Sequence, residues 1–357
     1  MTHPVYSPAA ADPAELEART VGRADLLDTL TGRFRGAARD GARPHTMLIG
    51  PRGSGKTHTL RLAVHRVLAD PGTAKNVLPV LIPEDTLAIG SYLDLLVEIA
   101  RAIGGDTADA ARSMRRDRDA IGIEQTIMSA AAGRMLLLAV ENLDRVFNRL
   151  GRDGQGNLRA WVETSTAITI FATAPALFAG VTSREYPWYG SFMVETLPDL
   201  TVPEVAQILA HENAALASFA ETAEGAVRIA DIHAVIGGSP RVWQTLADIA
   251  QVPMLQAVTP AIEAVLDRLA PLHQQRLWEL PPSEQRLIVE LARAGEPRTV
   301  TDLAAAVGVS NQAAAAVLGR LSESHWVTSS KDRADRRSSW YDLTDPLLRQ
   351  VLRFRDR

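Results

Sequence analysis

One segment, Gly50–Thr57, constrains the fold of this chain more than any other. Its sequence, GPRGSGKT, matches the pattern G-x-x-x-x-G-K-[ST] of phosphate-binding loops. An apolar run, Met47–Ile49, precedes it, and a helix-forming segment, Leu60–Leu68, follows it. Because the motif carries meaning only between a strand and a helix, this context predicts a strand, a phosphate loop and a helix within an α/β fold.

The residue types of this segment suit a nucleotide and its metal ion. Gly53 and Gly55 allow a tight turn whose backbone N–H groups point at an anion, and the helix start adds partial positive charge. Lys56 can reach the β- and γ-phosphates, and the Thr57 hydroxyl can bind Mg²⁺. The sequence therefore predicts ATP or ADP and Mg²⁺ as ligands. The predicted nucleotide-contacting residues of this segment are Gly50, Gly53, Ser54, Gly55, Lys56, Thr57 and His58.

Length and composition limit the possible function classes. A chain of 357 residues is long enough for two or three domains. The net charge of −4 provides no global attraction to nucleic acid, so any DNA contact requires a local basic patch. The absence of cysteine excludes disulfides, thiolate zinc sites and cysteine nucleophiles. Without a signal peptide or an apolar run of about 18 residues, the expected location is cytoplasmic, with no membrane partner.

The first part of the chain alternates between apolar runs and helical segments. Besides the strand before the phosphate loop, residues 77–82, 135–140 and 167–172 are predicted strands. Alternating strands and helices favour a parallel sheet with helices on both faces. Three segments are predicted to be irregular: a loose N-terminal arm over residues 1–19, a loop over 36–44 and a charged surface loop over 104–119.

The remainder of the chain has a different pattern. Residues 198–270 read as helices without a strand. From residue 281, three helix starts are predicted near Pro282, Thr301 and Ser310, each with an N-cap residue. Two short strands, 325–329 and 338–343, then flank a turn that is rich in arginine. Three helices followed by a hairpin with a basic tip is the order of a winged helix.

The polar residues that follow the apolar strand 135–140 could complete the nucleotide site. Glu141 follows the apolar strand 135–140, where an acid could bind the metal ion of a nucleotide. Asn142 stands where a catalytic glutamate often polarises the attacking water, and an amide is a poor general base. Glu141 could orient water itself, or Asp144 could contribute. Thr173, at the end of the next strand, could hydrogen-bond the water or the γ-phosphate.

These features together resemble the AAA+ ATPases. The resemblance is closest to the origin-recognition initiator clade and to the related archaeal-type and signal-transduction ATPases, which also have a C-terminal winged helix. It covers nearly all of residues 20–350. In chain order, the matching segments are Val21–Arg23, the phosphate loop, Glu141–Asp144, Thr173, Ser183-Arg184 and Gly237–Arg241.

The resemblance implies four domains and several further site residues. The domains are an arm (1–19), a nucleotide-binding core (20–197), a helical lid (198–270) and a winged helix (271–357). Val21 and Arg23 would lie beside the adenine, and Arg241 would contact the γ-phosphate from the lid. Arg184 would act as a finger that reaches the nucleotide of a neighbouring copy, which implies side-by-side assembly. The pair Glu141-Asn142 replaces the Asp-Glu of the family, so binding with slow hydrolysis is expected.

The predicted winged helix has features of a DNA-binding module. Asn311 and Gln312 open the would-be recognition helix, Ser310 to Leu321, and both side chains can pair bidentately with adenine. Alanines dominate the rest of that helix, where Arg320 is the main cation. Residues 331–357 carry eight Lys or Arg against five Asp. The predicted phosphate-contacting residues of the wing are Lys331, Arg333, Arg336 and Arg337.

Three hypotheses for the whole protein remain open at this stage. The first is an ATP-dependent switch that binds duplex DNA with weak sequence preference. The second is a signalling or defence ATPase whose winged helix recruits a protein partner. The third is a regulator that binds nucleotide and barely hydrolyses it. Binding to DNA that falls steeply with salt separates the first from the second, and turnover separates the third.

Overall fold

The predicted parallel sheet is present in the first part of the chain. The computed structural model describes residues 11–86, 89–324, 326–331 and 339–355. The chain divides between Pro198 and Asp199 into two compact units, called here the N-terminal unit and the C-terminal unit.

The N-terminal unit alternates strands and helices along the chain. Its strands are β1 (Thr46–Ile49), β2 (Val77–Ile82), β3 (Met135–Val140), β4 (Ile168–Ala174) and β5 (Met193–Thr196). Its helices are α1 (Pro13–Ala18), α2 (Ala24–Asp40), α3 (Lys56–Ala69), α4 (Pro71–Ala74), α5 (Tyr92–Ile103), α6 (Gly105–Asp117), α7 (Ala120–Ala131), α8 (Leu143–Ser165) and α9 (Ala179–Thr182).

The sheet has helices on both faces. In the described part of this unit, five parallel strands lie in the order β2-β3-β4-β1-β5. Every residue of β3 and β4 is buried, as expected for strands covered on both sides. One apolar core holds buried residues of α2 and α3, and the other holds those of α5, α7 and α8. The α/β prediction is confirmed.

Several predictions of irregular structure were wrong. The segment 104–119 forms α6, because Ala111 is buried and Met114 packs against the core, a face too sparse to stand out among charged residues. Helix α2 continues into the predicted loop as far as Asp40 and is capped by Gly41, which has a left-handed φ of 74°, so only residues 41–44 of that loop are irregular. Residues 13–18 of the predicted arm form α1, which buries Leu16. Residues 1–10 of that arm lie outside the described residues.

The C-terminal unit begins with a helical region. Its helices are α10 (Val202–Glu212), α11 (Ala214–Ala220), α12 (Ala223–Ile236), α13 (Pro240–Ile249), α14 (Val252–Leu255), α15 (Val258–Trp278), α16 (Pro282–Ala294), α17 (Val300–Val307), α18 (Asn311–Glu323) and α19 (Pro346–Arg355). Its strands are β6 (Arg298–Thr299), β7 (Val327–Lys331) and β8 (Ser339–Leu343). Helix α15 crosses the predicted domain boundary at residue 270, so the two regions share one helix.

The end of the C-terminal unit has the predicted winged-helix order. The chain order is α16, β6, α17, α18, β7 and β8, and the three strands form an antiparallel sheet ordered β6-β8-β7. Helix α17 begins after the N-cap Thr299, whose hydroxyl accepts a hydrogen bond from Asp302 N, and not at Thr301 as predicted. Leu348 and Leu352 of α19 pack into the same apolar core as these helices. No helix among the described residues is both long and apolar enough to cross a membrane.

His45 makes the N-terminal unit sensitive to acid. Its ring lies beside Trp188 and Phe192, and its Nδ1 accepts a hydrogen bond from Ile170 N at 3.1 Å. Burial, with help from the charges of Arg159 and Arg43, lowers the pKa of His45 from 6.5 to about 4. The unfolded chain therefore binds this proton at a higher pH than the folded chain does. With respect to this group, the free energy of unfolding has its full value above pH 6.5 and falls as the pH drops towards 4.

We expect the free energy of unfolding to fall by about 2 to 3 kcal/mol between pH 6.5 and pH 4, because His45 takes up its proton more readily in the unfolded chain. The variant His45→Asn keeps an acceptor for Ile170 N but does not titrate. Urea unfolding of both proteins at a series of pH values would measure the difference. The variant should lose packing stability at pH 7 and then show a shallower acid dependence. Parallel curves would contradict the assignment.

Candidate functional site

The phosphate loop has a conformation that needs its glycines. The loop joins the end of β1 to the start of α3. Gly53 and Gly55 have φ values of 88° and 92°, which lie in the left-handed region that favours glycine. A Cβ at Gly50 would lie 2.7 Å from Ser54 Oγ, so the loop also closes on itself there. The glycine positions of the sequence motif thus have separate physical causes.

Lys56 and Ser54 direct polar groups into this loop. Lys56 Nζ donates hydrogen bonds to the Gly50 carbonyl at 2.6 Å and to the Pro51 carbonyl at 2.9 Å. Ser54 is 1% exposed, and its Oγ has no hydrogen-bond partner among the described residues. Open space lies where a Cβ at Gly55 would stand. The loop therefore combines a cation, a buried hydroxyl and free space at the start of a helix.

The two halves of the predicted site meet at Thr57 and Glu141. Thr57 Oγ1 donates a hydrogen bond to Glu141 Oε2 at 2.8 Å, across 84 residues of sequence. Glu141 is buried, and burial raises the pKa of its carboxyl, while the Thr57 hydrogen bond and the nearby Arg61 charge lower it. The strand end and the phosphate loop thus bring a hydroxyl and a carboxylate together, a pair of oxygen ligands that suits Mg²⁺.

Thr173 is tied to the same strand end. It lies on β4, between its register partner Leu48 of β1 and the neighbouring strand β3. Thr173 Oγ1 accepts a hydrogen bond from Asn142 N at 3.0 Å, which leaves the hydroxyl proton of Thr173 to be donated elsewhere. Asn142 is the N-cap of α8 and has φ 52° and ψ 55°, a left-handed conformation in which Asn is enriched among non-glycine residues.

The residues predicted to lie near the adenine form an anchored segment. Val21 and Arg23 are both buried. Arg23 Nη2 donates to the Pro198 carbonyl at 2.7 Å, which fixes the segment to the end of the N-terminal unit. The Thr20 hydroxyl donates to the Leu16 carbonyl, so its oxygen accepts from His58 Nε2 at 2.9 Å. Burial lowers the pKa of His58 to about 4, so this ring is neutral at pH 7.

The predicted finger, Arg184, and the predicted lid arginine, Arg241, are both exposed, each in its own unit. In the N-terminal unit, the Arg184 guanidinium lies 5.7 Å from the centre of the Tyr189 ring. In the C-terminal unit, Arg241 is exposed in the first turn of α13. A Cβ at the preceding Gly238 would lie 2.2 Å from the Leu200 carbonyl oxygen, so only glycine fits there. This close approach fixes the start of the helix that carries Arg241.

The predicted DNA-contacting residues differ in their surroundings. Gln312 is exposed at the start of α18, and Asn311 Nδ2 donates to Thr301 Oγ1 at 3.3 Å. Arg320 Nε donates to Glu284 Oε1 at 2.9 Å, and Glu284 is buried, so this cation is already paired within the domain. Lys331 is exposed at the end of β7. The wing residues Arg333, Arg336 and Arg337 lie outside the described residues.

Arg61 is a residue that the sequence analysis missed. Its Nε lies 3.7 Å from Glu141 Oε1, the carboxylate oxygen to which Thr57 does not donate. Residues four apart on a helix share a face, so Arg61 follows Thr57 on the same side of α3. That spacing was the available signal, but the position of the carboxylate above that face comes from the fold.

Comparisons with known proteins agree with this architecture. The model of the MarR family matches residues 278–338. No curated protein sequence matches the chain significantly.

Three solved structures from Aeropyrum pernix share the fold over nearly the whole chain. The ORC2 protein in its ADPNP–ADP complexes has a TM-score of 0.61 at 15% identity, covering 94% of this chain and 95% of that one. The ADP form of ORC2 has a TM-score of 0.57 at 16% identity, covering 98% and 96%. The ORC1 protein in complex with DNA has a TM-score of 0.54 at 14% identity, covering 95% and 94%. The chain therefore shares the AAA+ fold of these three proteins and has a winged-helix domain of the MarR type near its C-terminal end.

Proposed function

We propose that this protein is an ATP-binding switch that hydrolyses ATP slowly and contacts duplex DNA through its winged helix. The observation that carries the nucleotide part is the hydrogen bond between Thr57 and Glu141. It joins the predicted phosphate loop to the predicted metal ligand, which lie far apart in sequence. Two of the similar structures contain ADP or ADPNP, which supports the same ligand class for this chain.

The residues of the loop fit a triphosphate and a divalent ion. Lys56 would exchange its carbonyl partners for phosphate oxygens, and the glycine turn would present backbone N–H groups to the same oxygens. Mg²⁺ held by Thr57 and Glu141 would neutralise charge on the β- and γ-phosphates. Thr173 can donate its proton to the attacking water or to a phosphate oxygen. Position 142 holds an asparagine, whose amide cannot accept a proton from water, so hydrolysis should be slow.

Equilibrium binding tests the nucleotide part directly. The purified full chain is titrated with a labelled ATP analogue in the presence of Mg²⁺, with label retention or anisotropy as the readout. We expect saturable binding that unlabelled ATP and ADP displace. If no label is retained at millimolar nucleotide, the proposed site does not exist in this form.

DNA is the partner that the wing favours. Lys331 is exposed, and the sequence of the following turn adds three arginines. One similar structure, that of the ORC1 protein, was solved with DNA bound. Because most of these cations would contact phosphate, the expected binding has little sequence preference.

A protein partner is the second candidate for the winged helix, and one observation favours it. The exposed positions of α18 are largely alanine and glycine after Gln312, and its main cation, Arg320, is paired with Glu284. A recognition helix normally supplies side chains that reach base edges. A helix face of small residues can instead pack closely against another protein.

Salt dependence separates these two candidates. If the four predicted wing cations contact phosphates, the log–log slope of the DNA association constant against salt should be about −3 to −4. Lys331→Ala should reduce the magnitude of that slope by about 1. Lys75→Ala, an exposed lysine of the N-terminal unit, is the matched control and should leave the slope unchanged. Absent or salt-independent binding would favour the protein partner.

A further inference from the structure

The buried carboxylate of Glu141 has two different neighbours, one on each oxygen. Its Oε2 accepts the hydrogen bond from Thr57, and its Oε1 lies 3.7 Å from Arg61 Nε. Neither Arg61 Nε nor Glu141 Oε1 has a hydrogen-bond partner among the described residues, and both atoms are buried. The side chains are 20% and 4% exposed, respectively, so solvent screens this ion pair weakly.

The other charges around Glu141 do not duplicate the role of Arg61. Glu84 and Asp85 follow β2 and act on Glu141 with the same sign of charge. Glu84 is shared by Arg52 and Arg145, each at 3.9 Å. Among the described residues, Arg61 is thus the cation whose ion pair is made with Glu141 itself.

We propose that Arg61 is a positioning residue that acts through Glu141, whose negative charge it neutralises when no divalent ion is bound there. This inference rests on the proposed nucleotide site. Its physical basis is that a guanidinium is always charged, and that Arg61 and the metal ion approach the same carboxylate. Arg61 therefore competes with the metal ion for Glu141 and, when the metal ion is absent, reduces the repulsion between this carboxylate and the triphosphate.

The consequence concerns how strongly Mg²⁺ assists nucleotide binding. We define the magnesium ratio as the dissociation constant of ATP in excess EDTA divided by that in excess Mg²⁺. With Arg61 present, ATP binds comparatively well without the metal ion and gains less when it is added. Loss of the charge should weaken binding in EDTA and increase the magnesium ratio by about tenfold, a value between the roughly sixfold effect of two unit charges about 4 Å apart in water and the roughly 1000-fold effect at an effective dielectric constant of about 20.

The test compares Arg61→Gln with the wild-type protein, using anisotropy of a labelled ATP analogue. Arg61→Lys retains the charge and should keep a ratio near that of the wild type. Arg66→Gln removes a cation from the same helix that pairs instead with Glu17 and Asp28, so its ratio should not change. Circular dichroism melting checks folding, and Arg61→Met, which retains the aliphatic stem, replaces Arg61→Gln if that variant unfolds.

A Glu141→Gln background shows whether Arg61 acts through Glu141. There, the effect of Arg61→Gln on the magnesium ratio should disappear. The same effect in both backgrounds would mean that Arg61 acts on the nucleotide directly, which overturns the positioning role. An unchanged ratio in Arg61→Gln also overturns the inference, while wild-type protein still binds ATP. Failure of the wild-type protein to bind ATP under either condition overturns the proposed function itself.

Discussion

Lys56→Ala should weaken ATP binding by about 100-fold, which corresponds to about 3 kcal/mol for the loss of charge-assisted hydrogen bonds to phosphate. Lys56 Nζ lies within hydrogen-bond distance of two carbonyls of the loop, Gly50 and Pro51. The ammonium is thus held against the backbone of the phosphate loop. Fluorescence anisotropy with a labelled ATP analogue measures the change.

The chain offers a matched control for this variant. Lysine occurs only at positions 56, 75 and 331. Lys75 is exposed just after α4, in the same unit, and Lys75→Ala should bind ATP as the wild type does. Thermal melting should place both variants close to the wild type, because each removes only part-exposed or exposed lysine contacts. Normal ATP binding by Lys56→Ala would show that the nucleotide lies elsewhere.

The sequence predicted those parts of the fold that depend on short-range patterns. Strands β2 and β3 were predicted at their observed bounds. Strand β3 is a continuous apolar run of six buried residues, which marks a strand covered on both faces. The phosphate loop was predicted because its glycines meet a local requirement of backbone geometry. The winged helix was predicted because caps and turns define its elements.

Features that depend on tertiary contacts were not predictable. Strand β5 has largely exposed residues at the edge of the sheet, so its sequence carries no core pattern. Helix α6 was not predicted because only one alanine and one methionine on its inner face contact the core, which is too few to produce a helical apolar pattern. The role proposed for Arg61 depends on the fold, which places Glu141, at the end of β3, next to helix α3. No residue spacing within either segment predicts that contact.

Two separate physical reasons can account for an asparagine at position 142. Its sequence position suggests a lost catalytic base. Its conformation supplies an independent reason for asparagine, since φ is 52° and asparagine tolerates the left-handed region better than glutamate. Any experiment that restores a carboxylate at this position must therefore separate the chemistry from the backbone strain.

Asn142→Glu should raise the rate of ATP hydrolysis by about 100-fold, the lower end of the range for a positioned general base. The backbone at position 142 is held by the hydrogen bond from its N–H to Thr173 Oγ1. The new carboxylate would therefore lie next to Glu141, which with Thr57 forms the proposed metal-binding pair. The left-handed backbone should cost about 1 kcal/mol of stability with any ordinary side chain. Phosphate release at saturating ATP measures the rate, and thermal melting measures the cost.

Asn142→Gln is the control that separates these two effects. Glutamine has the size of glutamate and pays the same backbone cost, but its amide cannot accept a proton. Both variants should therefore melt at similarly lowered temperatures, and only Asn142→Glu should gain turnover. Adding Lys56→Ala to Asn142→Glu should remove the gain, because the carboxylate acts only on bound nucleotide. Equal rates for the glutamate and glutamine variants would mean that a missing base does not limit hydrolysis, and that water at this site is oriented by Glu141 or Thr173.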